Sequence, residues 1–269
     1  MARPNVAQEY NTLASDYEAF TVTTPIGRLE TELYLTALGV PTGLTVLDLG
    51  GGTGLRARQA VERGAASVDV VDISAEMLDV GEKEAAEAGL DDRIRWLEAD
   101  VAQDLGHVGL KESYDVVQAN WVFDHAENIE SLEWMLTNVA TYLKPGGRFI
   151  CVHVVNPRGP NLKGKKYGVS HTDLEEIPGG IKYWVTLWAT DPPVKFSGAS
   201  LEVLYSGSLE MYNKFGLVDV KVVPIGKTEI VREDPEFWKD CVEEPIIEFV
   251  TASKAKYYVG SRVGSKGFA

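Results

Sequence analysis

The residue pattern with the clearest chemical potential is Asp48-x-Gly50-x-Gly52-x-Gly54. Glycine lacks a Cβ and reaches positive φ, so a chain can reverse sharply there and a ligand can lie against the backbone. The spacing differs from the G-x-G-x-x-G loop that seats a pyrophosphate on a helix N-terminus. Asp48 stands just before the turn, where it would repel a phosphate and attract an ammonium group. A ligand with an amino-acid end and a nucleoside end suits that arrangement better. A second acid, Asp72, follows Val68-Asp69-Val70-Val71. A carboxylate at a strand end can accept from both hydroxyls of a ribose, which a neutral side chain cannot match. No His, Asp or Glu cluster has metal-ligand spacing, so no metal is expected. Cys151 and Cys241 form neither a disulfide framework nor a C-x-x-C pair.

The elements that must position these residues alternate. Thr45–Asp48 reads as a short buried strand, and Leu55–Arg63 as a helix stopped by Gly64. Val68–Asp72 is a second strand, and Ser74 caps a helix over Ala75–Ala88. Strands follow at Arg93–Glu98, Tyr114–Asn120 and Arg148–Val154. A helix over Ile129–Leu143, closed by Lys144-Pro145-Gly146-Gly147, precedes the last of these. Strand, turn and helix repeated in this way predict an α/β fold, a Rossmann-like doubly wound sheet with helices on both faces. Residues 5–38 read as two helices broken at Thr21–Pro25. Residues 156–206 depart from the alternation, with strands expected at Ile181–Ala189 and Lys195–Tyr205 as an antiparallel insert. A basic cluster, Lys163–Lys166, is expected to be solvated. Helices at Leu209–Phe215 and Pro235–Glu243 and strands at Val218–Val223 and Ile246–Thr251 complete the order, before a Gly-rich basic tail.

Composition sets bounds. The 269 residues are 45% hydrophobic and 25% charged, as in ordinary globular chains. A net charge of −14 argues against nucleic acid and anionic membrane surfaces as partners. No run approaches a membrane span, and the first twenty residues hold no apolar segment of signal-peptide type. A cytoplasmic protein acting on a small molecule is expected, as monomer or homodimer.

The stretch LTVLDLGGGTGLRARQAVERG resembles the first motif of the class I S-adenosylmethionine-dependent methyltransferases. VDISAEML resembles the second, LKPGGRFICV a later strand segment, and MYNKFGLVDVKVVPI the last helix–strand unit. The four cofactor motifs stand in the family's order over residues 44–154. The resemblance implies a seven-stranded, mostly parallel sheet in a single methyltransferase domain over 1–269. Its parts would be an N-terminal helical lid (1–40), a cofactor core (41–155), a substrate-cap insert (156–206), C-terminal helix–strand units (207–256) and a tail (257–269). S-adenosylmethionine is the implied cofactor. Ile73 and Met77 would flank its adenine, with Asp100 reaching the exocyclic amine, Val101 also at the cofactor and Tyr17 lining the site from the lid. Tyr10 and Tyr17 are otherwise core aromatics, and Asp100 otherwise caps a turn. Asn120 and Trp121 end the fourth strand, where the transferable methyl would lie.

The implied reaction is in-line methyl transfer to N, O or S of a metabolite, which requires orientation and exclusion of water. A base is needed only where the acceptor carries a proton to lose. His125 is the candidate, its ordinary pKa near 6.5 suiting neutral pH; otherwise it is a structural loop histidine. Asp124 orients it, binds a cationic acceptor, or caps a helix. His153 faces the pocket or is a satisfied core histidine, and His107 and His171 read as surface residues. Tyr10, Tyr183 and Trp184, with Trp121 and Trp188, wall an acceptor pocket or belong to the core. Two rivals stand beside this reading: a non-catalytic cofactor-binding regulator or subunit, and a nicotinamide-dependent dehydrogenase.

Overall fold

The structure, a computed structural model, describes residues 6–257, except for the side chains of Val6 and residues 12–17. Two helices, α1 (Val6–Thr23) and α2 (Pro25–Leu38), precede the sheet. Thr24 separates them: its hydroxyl accepts from Gly27 N at 3.1 Å and donates to Phe20 O at 2.8 Å, with Pro25 opening α2. The core then runs β1 (Thr45–Leu49), α3 (Leu55–Glu62), β2 (Ser67–Asp72), α4 (Ala75–Glu87), β3 (Ile94–Glu98), β4 (Tyr114–Asn120), α5 (Ile129–Tyr142) and β5 (Leu143–Val154). The insert carries β6 (Val169–Ile177), β7 (Gly180–Leu187) and β8 (Val194–Leu201). After it come α6 (Glu202–Tyr205), α7 (Glu210–Lys214), β9 (Leu217–Val222), α8 (Glu229–Glu233), α9 (Pro235–Glu243) and β10 (Ile247–Lys254).

Seven strands form one sheet in the order β3-β2-β1-β4-β5-β10-β9, with β10 antiparallel to both of its neighbours. The expected doubly wound, mostly parallel sheet is therefore present. Its central strands β1, β2 and β4 are buried on both faces, which explains the apolar runs that defined them, while the edge strands β3 and β9 are partly exposed. Val46, Val68, Val70, Val116 and Ile150 pack with α2, α3 and α4 on one face. Leu47, Val71, Val117, Phe149 and Cys151 pack with α5 and α7 on the other. Strand order reverses between β1 and β4, and a crevice opens beyond the carboxyl ends of strands at such a point.

The expectations fail in four places. The insert is a three-stranded sheet, β6-β7-β8, not a two-stranded flap. β6 is not legible in the sequence because its second half, Thr172–Glu176, is exposed and polar except for Leu174, so no alternation survives there. The strand expected over Lys195–Tyr205 stops at Leu201, where α6 begins. Lys144–Gly147 lies within β5 as a bulge: pairing with β4 slips from Leu143 opposite Tyr114 to Arg148 opposite Val116. The short helix α8 was also missed. The tail from residue 258 lies outside the described residues.

Candidate functional site

β1 ends at the crevice and delivers Asp48 and the glycine turn. Gly50 N donates to Val71 O at 2.7 Å, and Gly52 N to Asp72 Oδ2 at 2.8 Å, so the turn is stapled to the end of β2. Gly50 and Gly54 have φ of 65° and 70°. A Cβ on Gly50 would overlap Val122, and one on Gly54 would overlap the Trp96 ring. Gly54 starts α3 and packs on Trp96; it does not line the cleft. At Gly52 the nearest atom to such a Cβ is the Met77 sulfur at 4.0 Å, because that side of the turn faces open space.

That space is a cleft of about 340 Å³ lined by Asp48, Gly50, Gly52, Asp72, Ile73, Met77, Asp100, Val101, Asn120 and Trp121, with Tyr10 and His125. The structure thus brings most of the sequence-derived residues into one concavity. Asp48 is 1% exposed, and its Oδ2 has no hydrogen-bond partner among the described residues. Burial pushes its pKa up to about 7; the nearby Gln118 amide and Arg56 guanidinium oppose the rise, and Asp72 adds to it. Both oxygens of Asp72 accept backbone N–H groups, Oδ2 from Gly52 and Oδ1 from Ser74 at 2.9 Å. Burial still raises its pKa. Asp100 accepts from Ala102 N at 2.9 Å, the turn-capping geometry, and also lines the cleft. The Asn120 amide is buried with neither its nitrogen nor its oxygen partnered among the described residues. Trp121 follows at φ 65°, an uncommon backbone for a bulky residue.

A second, smaller cavity of about 50 Å³ lies beside the cleft, and Tyr10, Phe20, Trp121 and His125 line both. His125 sits on a single 3-10 turn, Phe123–His125, with Nε2 2.9 Å from the Tyr10 hydroxyl. Burial pushes its pKa down to about 4, so the ring is neutral at pH 7 and less basic than the ordinary value suggested. Asp124, 5% exposed, points into the second cavity rather than orienting His125 or capping a helix. Its Oδ1 accepts from Ser200 Oγ at 2.6 Å and Tyr183 OH at 3.4 Å, and its Oδ2 from Val154 N at 3.3 Å. Burial pushes its pKa up to about 6.

Several expected residues lie elsewhere. His153 lines neither cavity: it is buried with Nε2 3.3 Å from Glu248 and 3.4 Å from the Tyr212 hydroxyl. Trp184 alternates with Tyr183 along β7, so it points to the other face of the insert and lines neither cavity. Trp188 is also away from both; it donates to Ser170 Oγ at 3.0 Å beneath the Lys165 ammonium. His171, expected on the surface, is buried in the second cavity and stacks on Tyr183 with centroids 4.1 Å apart. The Tyr17 side chain lies outside the described residues.

Sequence reasoning missed the contacts that hold α1 over the cleft. Glu9 Oε2 accepts from Ser197 N and Oγ, both at 2.9 Å, and Ser74 Oγ donates to Asn11 Oδ1 at 2.6 Å. Glu18 pairs with Arg58 at 2.7 Å and accepts from Thr53 at 3.2 Å. One local signal existed: α3 opens with Arg56 and Arg58 and no acid, which opposes the helix dipole unless other elements supply partners. Glu30 pairs with Arg56 at 2.7 Å, and Glu18 and Glu84 pair with Arg58.

Residues 46–147 match the family model of a methyltransferase domain. Over 112 residues the chain is 35% identical to the ubiquinone/menaquinone biosynthesis C-methyltransferase UbiE of Brucella anthropi, covering 41% of this chain and 40% of that protein. The UbiE of Rhodopseudomonas palustris is 33% identical over 141 residues, 50% of this chain and 53% of that one. The chain thus spans about half or less of the length of these curated relatives. Among solved structures, the CcbJ methyltransferase from Streptomyces caelestis aligns with TM-score 0.61 at 19% identity, over 94% of this chain and 100% of that one. A DhpI–SAH complex aligns with TM-score 0.57 at 17% identity, over 93% and 96%. Residues 46–147 thus match a methyltransferase domain, and the fold around them is the one that these methyltransferase structures share.

Proposed function

We propose that this chain transfers a methyl group from S-adenosylmethionine to nitrogen, oxygen or sulfur of a small molecule held in the second cavity. The observation that carries the reading is the unpartnered, buried carboxylate oxygen of Asp48 at the mouth of the glycine turn. A buried charge without a partner is costly unless a ligand supplies one, and the ammonium of an amino-acid end does so. When bound, the cofactor would supply an electrophilic methyl group to the acceptor, with its sulfur as the leaving group.

The remaining roles fall to the protein. Asp48 holds the ammonium, and Asp72 accepts from the ribose hydroxyls on lone pairs its backbone bonds leave open. Gly50 and Gly52 let the ligand lie close to the turn. Ile73 and Met77 flank the adenine, with Asp100 and Val101 at its edge. Asn120 and Trp121 line the wall between cleft and cavity. His125, neutral and hydrogen-bonded to Tyr10, faces both spaces and takes the acceptor's proton where there is one to lose. Helix α1 closes the cleft and the 156–206 insert walls the acceptor. We read 1–269 as one domain with these parts, acting in the cytoplasm on a small molecule rather than on nucleic acid or a membrane. Among the described residues no helix is long and apolar enough to cross a membrane. A carbon acceptor is the second reading, favoured by the printed name of the UbiE relatives.

Calorimetric titration with S-adenosylmethionine and S-adenosylhomocysteine tests the proposal. One site per chain is expected for each; no heat with either would overturn it. Turnover with every acceptor tried failing, despite binding, would favour the non-catalytic rival.

A further inference from the structure

Resting on that reading, the second cavity carries a statement about what the acceptor is. Its walls are aromatic and aliphatic, including Trp121, Phe196, Val185 and the stacked pair His171 and Tyr183. No lysine or arginine lines it among the described residues. Yet Asp124 is buried there, and the donors its oxygens meet, the Ser200 and Tyr183 hydroxyls and the Val154 amide, are all neutral. The His153 imidazole offsets part of that burial from outside the cavity; it lines neither space and already meets Glu248. Hydroxyls and an amide offset part of the desolvation of a carboxylate but bring no opposite charge.

From this arrangement we infer that the acceptor is a compact, largely apolar amine that enters as its ammonium ion, with Asp124 as its counter-ion. Aromatic rings in the wall favour a cation over a neutral group as well, since their faces carry negative potential. An acceptor bearing a carboxylate or phosphate would meet Asp124 with no lysine or arginine in the cavity lining, among the described residues, to offset the repulsion. Compactness follows from the size of the cavity, about 50 Å³ with the insert in place, well below the 300–1,000 Å³ common for drug-sized ligands. Asp124 acts in this account as a specificity-determining residue. The atom that receives the methyl is separate from it.

The test uses the full chain saturated with S-adenosylhomocysteine, titrated calorimetrically with benzylamine and phenethylamine, their alcohol isosteres benzyl alcohol and 2-phenylethanol, and phenylacetate. The amines are expected to bind at least about tenfold more tightly than the alcohols, and phenylacetate not at all. Asp124→Asn keeps an acceptor oxygen for Ser200 but turns its NH2 toward the Val154 N–H, so a lower thermal midpoint is expected; in the folded variant it should erase the amine preference while leaving S-adenosylhomocysteine affinity near wild type. An amine binding no better than its alcohol, or a preference that survives Asp124→Asn, overturns the inference. If the variant fails to fold, Ser200→Ala, which leaves the carboxylate in place, should retain the preference; its loss there also counts against the charge argument. Failure of S-adenosylhomocysteine to bind would instead strike the cofactor reading, and the same amines titrated against the unloaded chain would still report on the cavity.

Discussion

The cleft and the cavity beside it share a wall but are built in opposite ways. The cleft is lined mainly by the ends of consecutive strand–helix units, so its residues come in short runs: 48–56, 72–77, 100–102 and 120–122. The cavity takes its lining from α1, the 121–125 loop, the end of β5, the insert and the turn before β10. The cleft holds buried polar groups left unpartnered, Asp48 Oδ2 and the Asn120 amide. In the cavity the one carboxylate is already hydrogen-bonded on three sides. A fixed sheet edge recognises the invariant part of a reaction, and an insert shapes the variable part.

Substitutions can break or sharpen that contrast. The largest effect is expected from Asp72→Ala, which removes the proposed ribose acceptor and also frees the amides of Gly52 and Ser74. S-adenosylhomocysteine affinity should fall by about 2–4 kcal/mol, read by calorimetry; unchanged affinity would remove Asp72 from the site.

Asp48→Asn should weaken the same ligand by about 2 kcal/mol while stabilising the unliganded chain by roughly 1–3 kcal/mol at pH 8. The sign follows from the direction of the shift. The folded carboxyl titrates near 7, above its ordinary 3.8, so folding is penalised once the unfolded carboxyl ionises, and the penalty is complete above about pH 7. Urea melts should therefore show the variant's advantage growing from pH 4 to pH 7 and vanishing below that window. An advantage independent of pH would mean that Asp48 is not held against its charge.

Gly54→Ala sets a left-handed residue and a Cβ against Trp96. A loss of about 1–3 kcal/mol of stability is expected, with thermal denaturation as the readout and ligand affinity changed only through the turn. The smallest effect belongs to Val185→Ala in the cavity wall, about 1 kcal/mol of stability with S-adenosylhomocysteine affinity within about twofold. A larger loss of affinity would mean that the two spaces are energetically one.

The same difference in construction explains what could be read from the chain. Asp48, the glycine turn and Asp72 were legible because one turn and one strand end fix their relation, and period and punctuation define both. Ser74 as a cap was legible for the same local reason. Glu9 meets Ser197 across 188 residues and Tyr10 meets His125 across 115, and no spacing rule announces such pairs. His171 looked superficial because the polar half of β6 hid the strand that carries it inward. His153 and Trp184 were one strand-face away from the spaces assigned to them, and that parity depends on pairing register, which the sequence states only weakly.

The most direct measurement is a crystal structure of the chain with S-adenosylhomocysteine. The account predicts the amino-acid ammonium against Asp48 Oδ2, the ribose hydroxyls on Asp72, and the sulfur turned toward the wall shared by Trp121 and His125. A ligand bound outside this cleft, or one leaving Asp48 Oδ2 without a partner, would contradict it.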